Sequence, residues 1–187
     1  MQCFLDLDGV LCDFHRGALF AHGRPASDYS LFRQGDIAAC LGIAPTRFWS
    51  RLERAEFWAG LEPTPECAAI LTAVENQYGP ENVCILSSPT LSPGSLAGKY
   101  QWIRHHLPAY SRRFLIGPPK HFLARADAVL IDGSDDNVRT FRRAGGWAIL
   151  VPRPWNAGWM SESPFNVAEN LQQHMRRLEM VTAFHDH

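Results

Sequence analysis

The 187-residue chain carries 18 basic and 19 acidic residues, a net charge of −1, which excludes a surface built to hold nucleic acid through clustered cations. Apolar residues make up 46% and charged residues 20%, the balance of one soluble globular domain that needs no covalent staple. No run approaches the ~20 apolar residues of a membrane span, and Met1-Gln2-Cys3 reaches Asp6 without a basic or apolar leader, so a cytoplasmic chain is expected.

The first apolar run, Cys3-Phe4-Leu5, ends in Asp6-Leu7-Asp8-Gly9, the pattern of a buried strand stopping at a glycine turn. The stretch from Arg16 to Gly79 is too long for a simple connection and holds several helical patterns, one of them Thr46 to Ala55. It reads as a small inserted cap over a site. Thr64-Pro65-Glu66 before Ala68, Ala69, Leu71 and Val74, with Gly79 beyond, predicts a helix capped by Thr64.

Val83-Cys84-Ile85-Leu86 then runs into Ser87-Ser88-Pro89, and Phe114-Leu115-Ile116 into Gly117-Pro118-Pro119-Lys120. Ala128-Val129-Leu130-Ile131 ends at Asp132-Gly133, and Trp147 to Val151 ends at Pro152. Ser134 is placed to cap a helix running to about Ala144 before Gly145-Gly146. After Trp155, the spacing of Leu171, Met175, Leu178 and Val181 predicts an amphipathic helix that can pack on the sheet or serve a homodimer contact. Continuous apolar runs alternating with helices predict a doubly wound, Rossmann-like parallel α/β sheet of about five strands. Residues 1–15 and 80–187 would form this core, and residues 16–79 the helical cap insertion.

Ligands in such sheets bind beyond the carboxyl ends of the strands. Those ends gather Asp6 and Asp8, Ser87 and Ser88, Lys120, and Asp132 with Asp135 and Asp136. A carboxylate nucleophile, a nearby acid, a hydroxyl, a lysine and a hard-metal site together serve phosphoryl transfer. The five cysteines (Cys3, Cys12, Cys40, Cys67, Cys84) lack metal-ligand spacing and read as reduced thiols. Sixteen of the basic residues are arginine; the two lysines are Lys99 and Lys120.

Asp6-Leu7-Asp8-Gly9-Val10-Leu11 resembles the first motif of haloacid dehalogenase (HAD) superfamily phosphatases, and the serine, lysine and acidic segments follow in that family's order. Asp8 to Phe14, Phe57-Trp58 before Leu61-Glu62-Pro63, Ser87-Ser88-Pro89, and Lys99-Tyr100 with Trp102 are most similar to the 5′(3′)-deoxyribonucleotidase group. The resemblance runs from about Gln2 to Trp155 and implies a Mg²⁺-dependent phosphomonoesterase acting on a small phosphate ester, first among them (deoxy)nucleoside monophosphates. It implies Asp6 as nucleophile, Asp8 as general acid and base, and Lys120 as the lysine that holds nucleophile and phosphate together. Ser87, Ser88, Lys99 and backbone N–H groups near Gly9 would hold the phosphate, and Phe14 and Trp58 would surround the nucleobase. Mg²⁺ would lie between Asp6, the Asp8 carbonyl and an acid of the fourth motif.

That fourth motif departs from the nucleotidase pattern, with Gly133 where the group has a second aspartate. Asp132-Gly133-Ser134-Asp135-Asp136 fits the Asp-x-x-x-Asp form of other HAD phosphatases, making Asp132 and Asp136 the expected acids. Alternatively Asp135 or Asp136 reaches the metal through water, or the two merely sit in a helix's first turn, favourable to its dipole. A phosphatase of another metabolite, or of nucleic-acid 3′-phosphate ends, and a catalytically weak phosphate-binding protein are the competing readings. The histidines near the motifs, His15 among them, read as surface or structural groups.

Overall fold

The computed structural model describes residues 1–25, 27, 36–117, 119–160 and 166–183. Pro118, and residues 26 and 28–35 of the expected cap, lie outside the described residues. Five parallel strands form one sheet: β1 (Gln2–Leu5), β2 (Val83–Ser87), β3 (Phe114–Ile116), β4 (Ala128–Asp132) and β5 (Trp147–Leu150), in the order β3-β2-β1-β4-β5. The chain reverses direction across the sheet at β1, between β2 and β4, which opens the crevice where a doubly wound sheet binds its ligand.

Alternation along the strands explains why apolar runs were needed. Cys3 and Leu5, Val83 and Ile85, and Val129 and Ile131 face the larger core, while Phe4, Leu86 and Leu130 face the smaller one. The larger core receives α5 (Cys67–Tyr78) and α8 (Val167–Ala183); the smaller receives Val138 and Phe141 of α7 (Asp135–Arg143). Leu171 and Met175 of α8 are buried, and the helix packs on α5 and β5, the first of its two expected placements.

The remaining helices are α1 (Phe14–Ala21), α2 (Ile37–Cys40), α3 (Pro45–Ser50), α4 (Ala55–Ala59) and α6 (Pro93–His106). The helix expected from Thr46 to Ala55 is two, α3 and α4. The Trp58 indole N–H donates to the Leu52 carbonyl at 2.6 Å and the Ser92 hydroxyl to the Glu53 carbonyl at 2.8 Å, so side-chain donors, one from α4 itself and one 39 residues away, occupy the turn between them. Thr64 likewise caps nothing: its hydroxyl donates to the Val10 carbonyl at 2.8 Å, and α5 begins three residues later at Cys67. Residues 67–78 were expected within the cap, yet α5 contacts β1, β2 and α8 and so is a layer of the sheet.

One close approach fixes α4. α4 lies along α6, and a Cβ at Gly98 would meet the Trp58 Cβ at 2.5 Å and the Ala59 nitrogen at 3.1 Å. Bare backbone at Gly98 therefore brings Trp58 beside Lys99. Gly98→Ala is expected to lower the melting temperature by several degrees, as overpacking costs about 1–3 kcal/mol. A melting curve unchanged within a degree would contradict that packing.

Candidate active site

The sheet's switch point holds two clusters of charge. At the end of β1, Asp6 accepts from the Lys120 ammonium at 2.5 Å, and the same ammonium donates to Asp132, at the end of β4, at 2.7 Å. All three are buried, with Lys120 only 4% exposed on its 3-10 turn, Lys120–Leu123. Burial raises the Asp6 carboxyl to about 7, helped by the Asp132 charge and opposed by Lys120. Burial works against the charged ammonium, but Asp6 and Asp132 outweigh it and hold the Lys120 pKa up.

The second cluster is Asp8. Its carboxylate accepts from Lys99, from the Ser87 hydroxyl at 3.2 Å and from the Cys12 thiol at 3.5 Å. Lys99 also donates to Ser87 Oγ and to the Ser88 carbonyl, both at 2.9 Å, and lies 4.8 Å from the Trp58 ring centroid. Thus both lysines of the chain are buried against carboxylates, one on each side of the first motif.

Two cavities meet here. One, of about 430 Å³, is lined by Asp6, Asp8, His15, Lys120, Asp132 and Trp155, among others. The other, of about 720 Å³, is largely apolar and lined by Phe14, Trp49, Trp58, Thr90 and Lys99 among others. Asp8 and Ser88 belong to both walls.

Phe14 is stacked between Trp58, at 5.3 Å and 9°, and Trp49, at 6.1 Å and 15°. Trp58 is 2% exposed and forms an inner wall, whereas Trp49 is 41% exposed and offers the accessible ring. Trp49 carried no site expectation, because nothing in the sequence around Pro45 distinguishes a cavity-facing tryptophan from a core one.

Two expected site residues are placed differently. Asp136 lines the same cavity as Asp6, Asp8 and Asp132 but from its exposed rim: its side chain is 76% exposed on the first turn of α7 and pairs with Arg139 at 2.6 Å. The Gly9 N–H donates to the Cys12 carbonyl at 2.7 Å, so Gly9, with φ of +76°, serves the turn.

Several neighbours carried no sequence signal. Asn137 donates to Asp132 Oδ2 at 3.0 Å, and the Ser134 N–H to Asp132 Oδ1 at 2.8 Å. His15, read as structural, lines the polar cavity and stacks on Trp155 at 3.5 Å; burial pushes its imidazole down to about 3. Such partners are reached across the fold, and no local spacing announces them.

The donor set suits a hard cation. Two buried carboxylates share one ammonium, which leaves an excess of negative charge, and every candidate ligand atom is oxygen. Asp132 already accepts three hydrogen bonds, leaving about one of its roughly four acceptor positions. Among the described residues no group of three or more His, Cys, Asp or Glu forms a cage, and Mg²⁺ needs none, since it binds one or two carboxylates and keeps its waters.

Comparison with known proteins agrees with this architecture. A haloacid dehalogenase-like hydrolase of Streptococcus pneumoniae has a TM-score of 0.53 at 14% identity, over 91% of this chain and 98% of its own. A HAD-superfamily hydrolase of subfamily IA, variant 1, from Geobacter sulfurreducens has a TM-score of 0.51 at 14% identity, over 84% and 89%. No curated protein matches the chain. Residues 1–173, from the first strand into α8, match the family described as 5′ nucleotidase, deoxy (Pyrimidine), cytosolic type C. The chain belongs to that family and is an enzyme, a phosphatase of the haloacid dehalogenase type.

Proposed function

We propose that this enzyme hydrolyses (deoxy)nucleoside monophosphates through an aspartyl-phosphate on Asp6. The observation that carries the reading is the junction of the two cavities at Asp8 and Ser88. A phosphate placed there meets Asp6 and Lys120 on one side, while its organic part extends into the apolar cavity past Phe14 and Trp49. An aromatic wall accepts a base by stacking, with little demand on its identity. The family's name points to pyrimidine deoxynucleotides, which makes them the first substrates to assay.

In this mechanism an Asp6 oxygen attacks phosphorus while the ester P–O bond breaks, and Asp8 gives its proton to the leaving oxygen. Asp8 then takes a proton from water as that water attacks phosphorus, releasing phosphate and restoring the Asp6 carboxylate. Ser87, Ser88 and Lys99 hold the phosphoryl oxygens, and Lys120 keeps Asp6 oriented and offsets the gathering charge. Mg²⁺, held by Asp6, the Asp8 carbonyl and Asp132, would supply further charge neutralisation at the phosphoryl oxygens. The elements α2 to α4 act as the cap that walls the apolar cavity from water.

A substrate panel tests the reading. Nucleoside monophosphates are expected to exceed sugar phosphates in kcat/KM by at least about tenfold, and Trp49→Ala to remove most of that margin through KM, since stacking is worth ~1–3 kcal/mol. Equal rates on both classes would overturn the nucleotide assignment. For the metal, Asp132→Asn is expected to raise the Mg²⁺ concentration needed for half-activity by about tenfold or more, and Asp136→Asn by less than about twofold. The opposite ranking would return Asp136 to the metal site.

A further inference from the structure

We propose that Arg153 is a positioning residue: with Asn156 it forms a strap after β5 that joins the Asp6–Asp8 loop to the Asp132 loop and sets how their carboxylates face each other. This rests on Asp6 and Asp132 belonging to the reacting site, as argued above.

The strap is built from buried polar groups. Arg153 is 5% exposed, and a guanidinium is costly to bury unless its donors are met. Its Nε donates to the Gly9 carbonyl at 2.6 Å and its terminal nitrogen to the Val10 carbonyl at 3.2 Å, with Glu66 at 3.4 Å as counter-ion. The Arg153 N–H donates to Asn156 Oδ1 at 3.1 Å, and Asn156 Nδ2 donates to the Gly133 carbonyl at 3.0 Å and the Val151 carbonyl at 2.8 Å. Gly9 and Val10 directly follow Asp8, and Gly133 directly follows Asp132. A continuous path of hydrogen bonds therefore runs from one carboxylate loop to the other.

The path begins where the sheet stops. The paired register of β1 and β4 ends at Leu5 and Ile131, and the last ladder-like bond is from the Asp6 N–H to the Ile131 carbonyl, at 2.9 Å. Beyond it no β1–β4 pairing holds the two chains together: Asp8 lies past the end of β1, and Asp132 stays paired only to Leu150 of β5. Between the strap's two ends Trp155 covers the Gly9 turn, its ring 2.8 Å from where a Gly9 Cβ would stand. Arg153 and Asn156 line neither of the two cavities, so they act on the reaction through the loops and touch no substrate.

The test measures kcat and KM for an aryl phosphate, the inhibition constant of inorganic phosphate, and the melting temperature. The proteins are wild type, Arg153→Ala, Asn156→Ala and the double variant. Positioning predicts that Arg153→Ala lowers kcat at least about tenfold in folded protein, with KM and phosphate inhibition within about twofold. Added guanidinium should restore part of kcat, and the double variant should lose little more than the worse single one, because both cut one path. Unchanged kcat in folded variants, losses that track only the folded fraction, or fully additive losses would each overturn the strap. Should Arg153→Ala fail to fold, Asn156→Ala, which keeps the cation and its Glu66 partner, carries the same test on its own. A wild type inert toward both the aryl phosphate and a nucleoside monophosphate would sink the phosphatase mechanism beneath the proposal, whereas an active wild type with unaffected variants sinks the strap alone.

Discussion

Asp6→Asn is expected to abolish turnover, by at least about 10³-fold in kcat, and at the same time to stabilise the protein above neutral pH. An amide cannot form the acyl-phosphate, so the chemical step loses its nucleophile. The gain in stability follows from the crowding around the carboxyl. Its folded-state pKa, about 7, lies above the ordinary value of 3.8 because it is buried beside Asp132. Between those two values the unfolded chain gives up its proton while the folded chain keeps it, so stability falls as pH rises. The variant lacks that fall. In EDTA, its melting temperature should therefore exceed that of wild type by more at pH 8 than at pH 5, by at least about 2–4 °C, the shift that ~1 kcal/mol gives a chain of this size. A difference that shrank from pH 5 to pH 8 would show that Asp6 is not the strained group.

Lys120→Arg should be nearly as damaging to activity although the charge is kept. The ammonium fits between Asp6 Oδ1 and Asp132 Oδ2 at 2.5 and 2.7 Å, with all three side chains buried at the cavity wall. A guanidinium is a broad planar fork, and seating it there pushes the two carboxylates apart. At least about 10²-fold in kcat should be lost, the scale of removing one preorganised charge contact, together with a lower melting temperature from overpacking. Turnover within a few-fold of wild type would mean that only charge is required at this position.

Much of this was legible in the sequence because strand cores and strand ends are written locally. Continuous apolar runs placed all five strands, and the groups that follow them (Asp6, Ser87, Lys120, Asp132) lie at one rim because every strand is parallel. Ser134 caps α7 as its position predicted. What escaped was decided by distant partners. Thr64 looks like a helix cap, but its hydroxyl is taken by Val10, 54 residues away. The break between α3 and α4 depends on Trp58 and Ser92 reaching carbonyls that a helix would have used.

The same physics separates the site residues. Asp132 and Asp136 are equivalent on a motif, yet one closes a buried strand and the other faces solvent beside Arg139. Trp58 and Trp49 are alike as aromatics of short helices, and the glycine contact between α4 and α6 buries the first while leaving the second at the cavity. The Arg153–Asn156 strap carries no spacing signal at all, since both its targets are backbone carbonyls.

If Asp6 becomes phosphorylated during turnover, acid quenching traps the phosphoryl-enzyme. Enzyme with Mg²⁺ and a nucleoside monophosphate labelled in its phosphate is quenched in the first turnover, digested, and the labelled peptide identified. Acid-stable, hydroxylamine-labile label is expected on the peptide bearing Asp6, and none in Asp6→Asn. Full turnover with no covalent label at any quench time, or label on a different residue, would contradict it.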